Sequence, residues 1–265
     1  MSELLLSELW RYPVKSMRGA RHRQLAVDAR GFVFDRRWML VDAQGRFLTQ
    51  RQLPRMALLD AELGDGRLQL SAAGQSLDVP PPAADAPLLE VQVWNDRVLA
   101  QPVSAAVDRW LSEFLGQACS LVMLPDTQVR RVDPDYARAQ DQVGFADGFP
   151  FLLISQASLD DLNARLDAPL PMRRFRPNLV VSGCAPYAED GWKRIRIGDL
   201  QLRVVKPCSR CIIPTIDPAT AERAAEPLRT LMGYRKRGNQ VYFGQNLLHD
   251  GPGELAEGMP VEVLE

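Results

Sequence analysis

Short strand-like segments separated by tight-turn residues fill the first hundred residues and constrain the fold more than any other feature. Residues 38–49 alternate strand, turn and strand around Gly45, which is a hairpin pattern. Residues 59–70 repeat it around Gly64-Asp65-Gly66. Apolar residues alternate over 89–93, as in a half-buried strand. Several short strands with turns between them predict a barrel or sandwich.

Two helices are predicted among these strands. Residues 103–115 place their apolar side chains on one helical face, and Gly116 is a suitable stop. A second helix is predicted to begin at Ser158, because Asp161 lies three residues on, close to a capping box, and leucines follow at helical spacing.

Strands return in the last third of the chain. They are predicted at 179–181, in a hairpin over 195–204 and in a closing segment at 259–264. The expected fold class is therefore mainly β, a β-rich α+β protein with a few short helices. We place a domain boundary after the first helix, which gives domains at 1–118 and 119–265.

The charge balance, the hydropathy and the cysteine content of the chain argue against several classes of protein. The 32 Lys and Arg residues balance 33 Asp and Glu residues, so the overall charge does not favour nucleic acid or an anionic membrane as a stable partner. The N-terminus lacks the pattern of a signal peptide, and no apolar run reaches the ~18 residues of a membrane span. Four cysteines are too sparse for a disulfide scaffold. We expect a soluble protein with free thiols in the reducing cytoplasm.

The segment Pro207-Cys208-Ser209-Arg210-Cys211 carries the strongest chemical signal. A neighbouring cation favours the thiolate, which is a soft metal ligand. The C-x-x-C spacing also suits half a zinc site or a redox disulfide, although no second ligand pair accompanies it. Buried packing cysteines are a further alternative. The residues alone leave these possibilities open.

Three basic segments lie at predicted strand ends. They are Lys15-Ser16-Met17-Arg18, Asp35-Arg36-Arg37 and Arg173-Arg174-Phe175-Arg176. Such donors suit a phosphate or a polar heterocycle, although each one alone would be typical of a solvated surface. The glycine patterns of P-loop and dinucleotide-binding folds do not occur, and neither does a nucleophile elbow.

Taken in order, six segments resemble one family. They are Tyr12-Pro13-Val14-Lys15-Ser16, Phe34-Asp35-Arg36, Phe145-Ala146-Asp147-Gly148-Phe149-Pro150, Phe175-Arg176-Pro177-Asn178, the cysteine segment and Phe243-Gly244-Gln245-Asn246. The chain is similar, over essentially its whole length, to MOSC-domain molybdenum proteins with an N-terminal β-barrel domain. These include the mitochondrial amidoxime-reducing components and bacterial relatives that detoxify hydroxylaminopurines.

The resemblance implies two barrel-like β domains with a molybdenum–molybdopterin cofactor between them. It implies that Cys211 is the metal ligand and the catalytic residue, with Cys208 in a supporting or packing role. The residues implied to hold the pterin and its phosphate are Lys15, Ser16, Arg36, Asp147, Arg176, Asn178, Ser209 and Arg210. Such a cofactor needs fixed donors, which arginine supplies in pairs.

The resemblance also implies a molybdenum-dependent oxidoreductase that reduces N-hydroxylated small molecules to amines. The substrates would be hydroxylaminopurines, amidoximes or hydroxylamines. Because the chain lacks the cysteine set of an iron–sulfur cluster, we expect a separate electron-donor protein of ferredoxin or flavoprotein type. The alternative is a carrier of the molybdenum cofactor or its sulfur. Gly148-Phe149 and Asn246 depart from the mitochondrial relatives, which carry small hydroxyl residues and a tyrosine at these positions.

Overall fold

The computed structural model describes residues 3–64 and 66–265, and these residues are mainly β, as predicted. The strands, in chain order, are β1 Leu5–Arg11, β2 Ala20–His22, β3 Gln24–Asp28, β4 Gly31–Phe32, β5 Trp38–Val41, β6 Asp60–Gly64, β7 Arg67–Ala72, β8 Gln75–Val79, β9 Leu89–Val93, β10 Asp96–Pro102, β11 Ser120–Met123, β12 Phe151–Ser155, β13 Leu179–Ser182, β14 Arg194–Ile197, β15 Leu200–Ser209, β16 Lys236–Arg237, β17 Gln240–His249, β18 Gly253–Ala256 and β19 Val261–Val263. The α-helices are α1 Ala105–Leu115, α2 Gln156–Asn163 and α3 Leu228–Met232. Short 3₁₀ helices span Pro54–Leu58, Met172–Arg174, Ala188–Gly191 and Ile213–Thr215.

One large sheet and three smaller sheets organise the strands. The large sheet has the order β19-β14-β15-β17-β12-β13-β1-β2, and β16 pairs with β17. The smaller sheets are β5-β11-β10-β9, β18-β3-β4 and β6-β7-β8. Strands β12 and β13 run parallel, while β15 and β17 form a long antiparallel pair that ends at the cysteine segment.

Two of the predicted hairpins are confirmed as β6–β7 and β14–β15, whereas the first keeps its turn but has an isolated bridge between Val41 and Phe47 in place of a second strand. The first turn is fixed by the Asp42 carboxylate, which accepts from the backbone N–H groups of Gln44 and Arg46, each at 2.9 Å. Gly45 adopts φ +73°, a conformation that glycine takes without steric cost. The second hairpin is β6–β7, although Asp65 of its predicted turn lies outside the described residues. The alternation over 89–93 is strand β9.

The first predicted helix is also confirmed, whereas the predicted start of the second is wrong. Helix α1 ends where Gly116 takes φ +70°. Helix α2 begins at Gln156, because the Ser155 hydroxyl caps it by accepting from the Ser158 backbone N–H at 3.1 Å. The Ser158 hydroxyl instead donates to buried Glu189 at 2.7 Å. Ser155 and Ser158 lie three residues apart in the sequence, and the prediction placed the start of the helix at Ser158 instead of after Ser155.

Apolar side chains form several separate cores. One core packs α1, through Val107, Leu111 and Leu115, against β5 to β8 and β11. Another core fills the space beneath the large sheet. Strand β1 pairs with β13, and β3 pairs with β18, so strands from 1–118 and 119–265 share sheets. The boundary between those ranges stays a prediction.

None of the helices in the part of the chain that the structure describes is long and apolar enough to cross a membrane.

Candidate functional site

A cleft of about 810 Å³ opens where loops from both halves of the chain meet. Its walls come from the segment after β1, the β9–β10 turn, the loops before β12 and β13, and the end of β15. All of the site residues predicted from the sequence line this cleft: Lys15, Ser16, Arg36, Asp147, Arg176, Asn178, Ser209, Arg210 and Cys211. The divergent positions Gly148, Phe149 and Asn246 line it too.

Backbone hydrogen bonds hold three of these loops side by side. The Lys15 N–H donates to the Trp38 carbonyl at 2.8 Å, and the Arg36 N–H donates to the Tyr12 carbonyl at 2.7 Å. The Phe145 N–H donates in turn to the Arg36 carbonyl at 2.6 Å. Short sequence motifs that are 130 residues apart are therefore joined at the floor of the cleft.

Three of the predicted site residues occupy the left-handed backbone region, as does Trp94 in the cleft wall. Ser16, Arg36 and Arg176 have φ values of 65°, 46° and 58°. Such conformations cost on the order of 1–3 kcal/mol each and persist where the surroundings hold them. Here the Ser16 carbonyl accepts from the Gln50 amide at 2.6 Å, and Arg176 donates to the Met17 carbonyl at 2.5 Å.

Lys15 and Asp147 form the central ion pair, with Nζ and Oδ1 2.5 Å apart. The ammonium also donates to the Phe145 carbonyl at 2.8 Å. Burial lowers the pKa of Lys15 to about 8, despite the opposing attraction of Asp147. Burial alone would raise the pKa of Asp147. The positive charges of Lys15 and Arg51 have the larger, opposite effect and hold that pKa well below its usual value. The carboxylate, 56% exposed, therefore stays ionised.

Arg51 is a central site residue that the sequence reasoning missed. Its Nη2 donates to Asp147 Oδ2 at 3.2 Å and to the Cys211 sulfur at 3.3 Å. The guanidinium stacks 4.7 Å above the ring of Trp94, whose Nε1–H donates to Asp147 Oδ1 at 3.2 Å. In the sequence Arg51 is flanked by polar residues and belongs to no motif, so no local pattern distinguishes it from a surface cation.

The two cysteines of the C-x-x-C segment have different partners. Arg210 directs Nη1 at the Cys208 sulfur, 3.2 Å away, and Nη2 at the Phe175 carbonyl, 2.7 Å away. The Cys211 sulfur accepts from Arg51 and from the Ile213 N–H at 3.5 Å. Both thiols are free rather than paired in a disulfide. Within residues 3–64 and 66–265, His, Cys, Asp and Glu side chains form no group of three or more that could hold a metal ion.

Asn178 connects several walls of the cleft. Its Oδ1 accepts from Arg36 Nη1 at 3.0 Å and from the Leu152 N–H at 3.3 Å, and its Nδ2 donates to the Trp10 carbonyl at 3.2 Å. Buried Asp35 completes this network by pairing with Arg36 and accepting from the Tyr12 N–H. Asn178 thus orients Arg36, which lines the cleft directly.

Arg130, the second residue missed from the sequence, fixes the loop that carries Asp147. Its Nη1 donates to the carbonyls of Gly144 and Ala146 at 2.8 and 2.6 Å, and Nε pairs with Asp96 at 2.7 Å. A Cβ atom on Gly144 would lie 2.7 Å from the Arg36 carbonyl oxygen, so only glycine allows this close approach.

Positive charge dominates the cleft, although the whole chain is close to neutral. Eight lining residues are cationic, namely Lys15, Arg36, Arg51, Arg130, Arg131, Arg176, Lys206 and Arg210, whereas three are acidic, namely Asp96, Asp133 and Asp147. Burial lowers the pKa of Arg176 to about 10, with repulsion from Arg36 adding to the effect, so Arg176 still carries its charge at neutral pH. The arrangement suits a polar ligand with anionic groups.

The Arg210 and Arg51 guanidiniums each retain donor capacity for such a ligand. Among the described residues, Arg51 Nη1 and Arg210 Nε have no hydrogen-bond partner although both atoms are buried. A buried charged donor without an acceptor is unfavourable, and a bound anion or polar ring would satisfy it.

Comparisons with known proteins agree with the motifs. Residues 3–118 match the family model "MOSC N-terminal beta barrel domain", and residues 140–262 match the model "MOSC domain". Mitochondrial amidoxime-reducing component 1 from Mus musculus is 37% identical over 98% of this chain and 82% of its own length. Molybdenum cofactor sulfurase from Oryza sativa subsp. japonica is 32% identical over 92% of this chain, which is 32% of that protein.

Among solved structures, the YUAD protein from Bacillus subtilis covers 99% of this chain and 97% of its own, at 12% identity and a TM-score of 0.47. The mitochondrial names belong to the relatives, and a cytoplasmic location for this chain stays a prediction. The extent of the sequence similarity, together with both domain models, shows that the chain belongs to the family of two-domain MOSC proteins that includes the amidoxime-reducing components.

Proposed function

We propose that this protein is a molybdenum-cofactor-dependent oxidoreductase that reduces N-hydroxylated compounds to amines. The substrate classes are hydroxylaminopurines, amidoximes and hydroxylamines. One observation carries the proposal: Cys211 lies in the wall of a cationic cleft that is lined by every motif residue expected to hold the cofactor. The relatives named amidoxime-reducing components, alike over nearly the whole chain, support the reaction type.

The donor set fits a pterin with a phosphate. Arginine binds phosphate through paired N–H groups, and the cleft offers several such groups beside Lys15 and the Ser16 and Ser209 hydroxyls. The buried donor atoms of Arg51 and Arg210 that lack protein acceptors point to the same kind of ligand. The cleft volume of about 810 Å³ falls within the range of small-molecule and cofactor sites.

Each predicted residue then has a defined task. Lys15, Ser16, Arg36, Arg176, Ser209 and Arg210 would hold the pterin and its phosphate, Asn178 would orient Arg36, and Cys211 would ligate molybdenum. When bound, this cofactor supplies two-electron redox chemistry and an affinity for oxygen, which the protein side chains lack. A thiolate suits such a thiophilic metal.

The side chains around the metal position would manage charge and protons. Asp147 stays ionised, so it serves as an acceptor that orients Lys15, Arg51 and the Trp94 indole. Lys15 holds a proton at Nζ at neutral pH, because its pKa is about 8. Conversion of N–OH to N–H and water consumes two electrons and two protons. We assign the electrons to a separate donor protein of ferredoxin or flavoprotein type.

Metal content and turnover together test the proposal. The protein is purified from cells that make molybdopterin, and molybdenum is measured alongside anaerobic reduction of 6-hydroxylaminopurine by a reduced viologen dye. We expect both in the native protein, both strongly reduced in Cys211→Ser, and both largely retained in the matched variant Cys208→Ser. Stoichiometric metal without turnover on any N-hydroxy compound would reject the reaction but keep the cofactor.

A carrier of molybdenum cofactor or its sulfur is the second candidate, supported by the resemblance to the rice cofactor sulfurase. In that role the free thiol of Cys208, close to the Arg210 guanidinium, would take the outer sulfur from a donor persulfide, which leaves as a thiol. Mass spectrometry of the purified protein would reveal a persulfide, and incubation with an apo-molybdoenzyme would reveal transfer. Transfer without reductase turnover would favour the carrier.

A further inference from the structure

A second, smaller cavity lies behind the wall formed by Arg176 and has no task in the proposed reaction. Its volume is about 110 Å³, and its lining shares Arg176 and Ile213 with the main cleft. A cavity of this size has room for a small ion or a few water molecules but not for a nucleotide or pterin. We call it the arginine cavity, because Arg18, Arg173, Arg174 and Arg176 all line it.

Two buried side chains in this cavity have hydrogen-bond donors without protein acceptors. Tyr12 is 2% exposed, and among the described residues its hydroxyl has no partner. Arg174 is 8% exposed, and its Nε and Nη1 also lack partners. Buried polar groups are nearly always satisfied by protein, water or a ligand. Tyr12 and Arg174 line the arginine cavity and do not line the main cleft, so the unused donors are on residues of this cavity.

The charges around the cavity favour an anion. Asp60 is the one acidic residue in its described lining, and both of its oxygens already accept from Arg18 at 3.3 Å. Asp217 pairs with Arg174 through Nη2 alone, at 3.3 Å. Arg173 lies beside Arg174, and the two cations repel each other. A bound anion would neutralise the excess positive charge around the cavity.

The Tyr12 ring is held in a fixed position for such a contact. The guanidiniums of Arg36 and Arg176 lie 4.2 and 4.3 Å from its centroid. Gly19 packs so closely that a Cβ there would meet the ring at 2.4 Å. The phenol is therefore oriented in advance, which lowers the entropic cost of binding a ligand.

We propose that the arginine cavity binds a small tetrahedral oxyanion, with inorganic phosphate or sulfate as the class of ligand. Arg174 donates from Nε or Nη1, which lie on different edges of its guanidinium, and Tyr12 donates its hydroxyl. The cavity shares Arg176 and Ile213 with the cofactor cleft, but oxyanion binding by Tyr12 and Arg174 goes beyond the proposed reduction. Nothing in its chemistry requires molybdenum, so it can be tested whether or not the reductase proposal holds.

Titration calorimetry of the purified protein with inorganic phosphate, and in a second series with sulfate, tests the site. We expect saturable binding that weakens about tenfold in Arg174→Gln, which removes the charged donor group. Tyr12→Phe should weaken it about fivefold, because one hydrogen bond is lost while the ring stays between its two guanidiniums. Arg131→Gln, in the main cleft, is the matched control and should leave the affinity unchanged.

Two results would overturn the proposal. One is a lack of saturable binding by either ion to the native protein. The other is equal weakening in Arg131→Gln and Arg174→Gln, which would assign the ion to the main cleft. If Arg174→Gln fails to fold, Tyr12→Phe decides the question, because it preserves the packing of the ring.

Discussion

The Arg51 guanidinium lies 3.3 Å from the Cys211 sulfur, although 160 residues separate the two in sequence. A guanidinium attracts a negatively charged sulfur more strongly than a neutral one, and a charge-assisted contact of this kind is worth on the order of 1.5–3 kcal/mol. We therefore expect Arg51→Gln to slow the alkylation of Cys211 by iodoacetamide about tenfold in cofactor-free protein. Peptide mass spectrometry would report the rates at Cys211 and Cys208 separately.

Arg55→Gln is the matched control for this experiment. Arg55 stacks on Phe114 at 4.7 Å and does not line the cleft, so its loss removes a nearby arginine without touching the thiol. Equal alkylation rates in the native protein and in Arg51→Gln would show that the contact has no influence on the sulfur.

Removal of Asp147 is expected to change the pH range in which the site is charged. The pKa of Lys15 is about 8 in the folded protein, below its ordinary value of 10.5, because burial outweighs the attraction of Asp147. Lys15 therefore loses its proton as the pH rises through 8. In Asp147→Asn the attraction is gone, so the pKa of Lys15 should fall further and the alkaline limb of the activity profile should move to lower pH.

The pH profile of kcat/KM checks this prediction, with Asp133→Asn as the control, since Asp133 lines the cleft without contacting Lys15. The lowered pKa of Lys15 also makes the stability of the folded protein depend on pH. Because the folded pKa of Lys15 is lowered, the unfolded chain binds more protons between pH 8 and 10.5, and this residue makes stability rise with pH over that window. Profiles of kcat/KM against pH that coincide in the native protein and in Asp147→Asn would contradict the electrostatic coupling between Asp147 and Lys15.

Asn178 is expected to matter more for stability than its small size suggests. Truncation in Asn178→Ala removes hydrogen bonds to Arg36, Leu152 and Trp10 at a position that is 2% exposed. We expect a loss of about 2–4 kcal/mol in the free energy of unfolding, measured by urea denaturation. Asn95→Ala, at an exposed cleft position, should change it by less than about 0.5 kcal/mol. A similar effect in both variants would show that the Asn178 network contributes little.

The β6–β7 and β14–β15 hairpins could be predicted from local patterns, and nine of the residues that line the cleft could be named from the family motifs. Alternation and turn glycines specify β6–β7 without reference to the rest of the chain. Lys15, Arg36 and Cys211 were found because each lies in a short family motif. Arg51 and Arg130 belong to no such motif, and only tertiary packing brings them to Cys211 and to the loop that carries Asp147. Their roles depend on contacts that no local pattern encodes.

Substitution of Gly144 tests how closely the loop that carries Asp147 must approach Arg36. In Gly144→Ala the new Cβ would lie 2.7 Å from the Arg36 carbonyl oxygen and 3.0 Å from that of Asp35, both of which are backbone atoms that cannot rotate away. We expect a loss of about 1–3 kcal/mol in the free energy of unfolding and weaker retention of molybdenum, because the loop would be displaced from Arg130 and Lys15. Gly148→Ala is the matched control in the same loop, since a Cβ there would meet no heavy atom within 4 Å. Urea denaturation and metal analysis of the two variants make the comparison. Unchanged stability and metal content in Gly144→Ala would show that the loop tolerates a wider separation from Arg36 than its hydrogen bonds suggest.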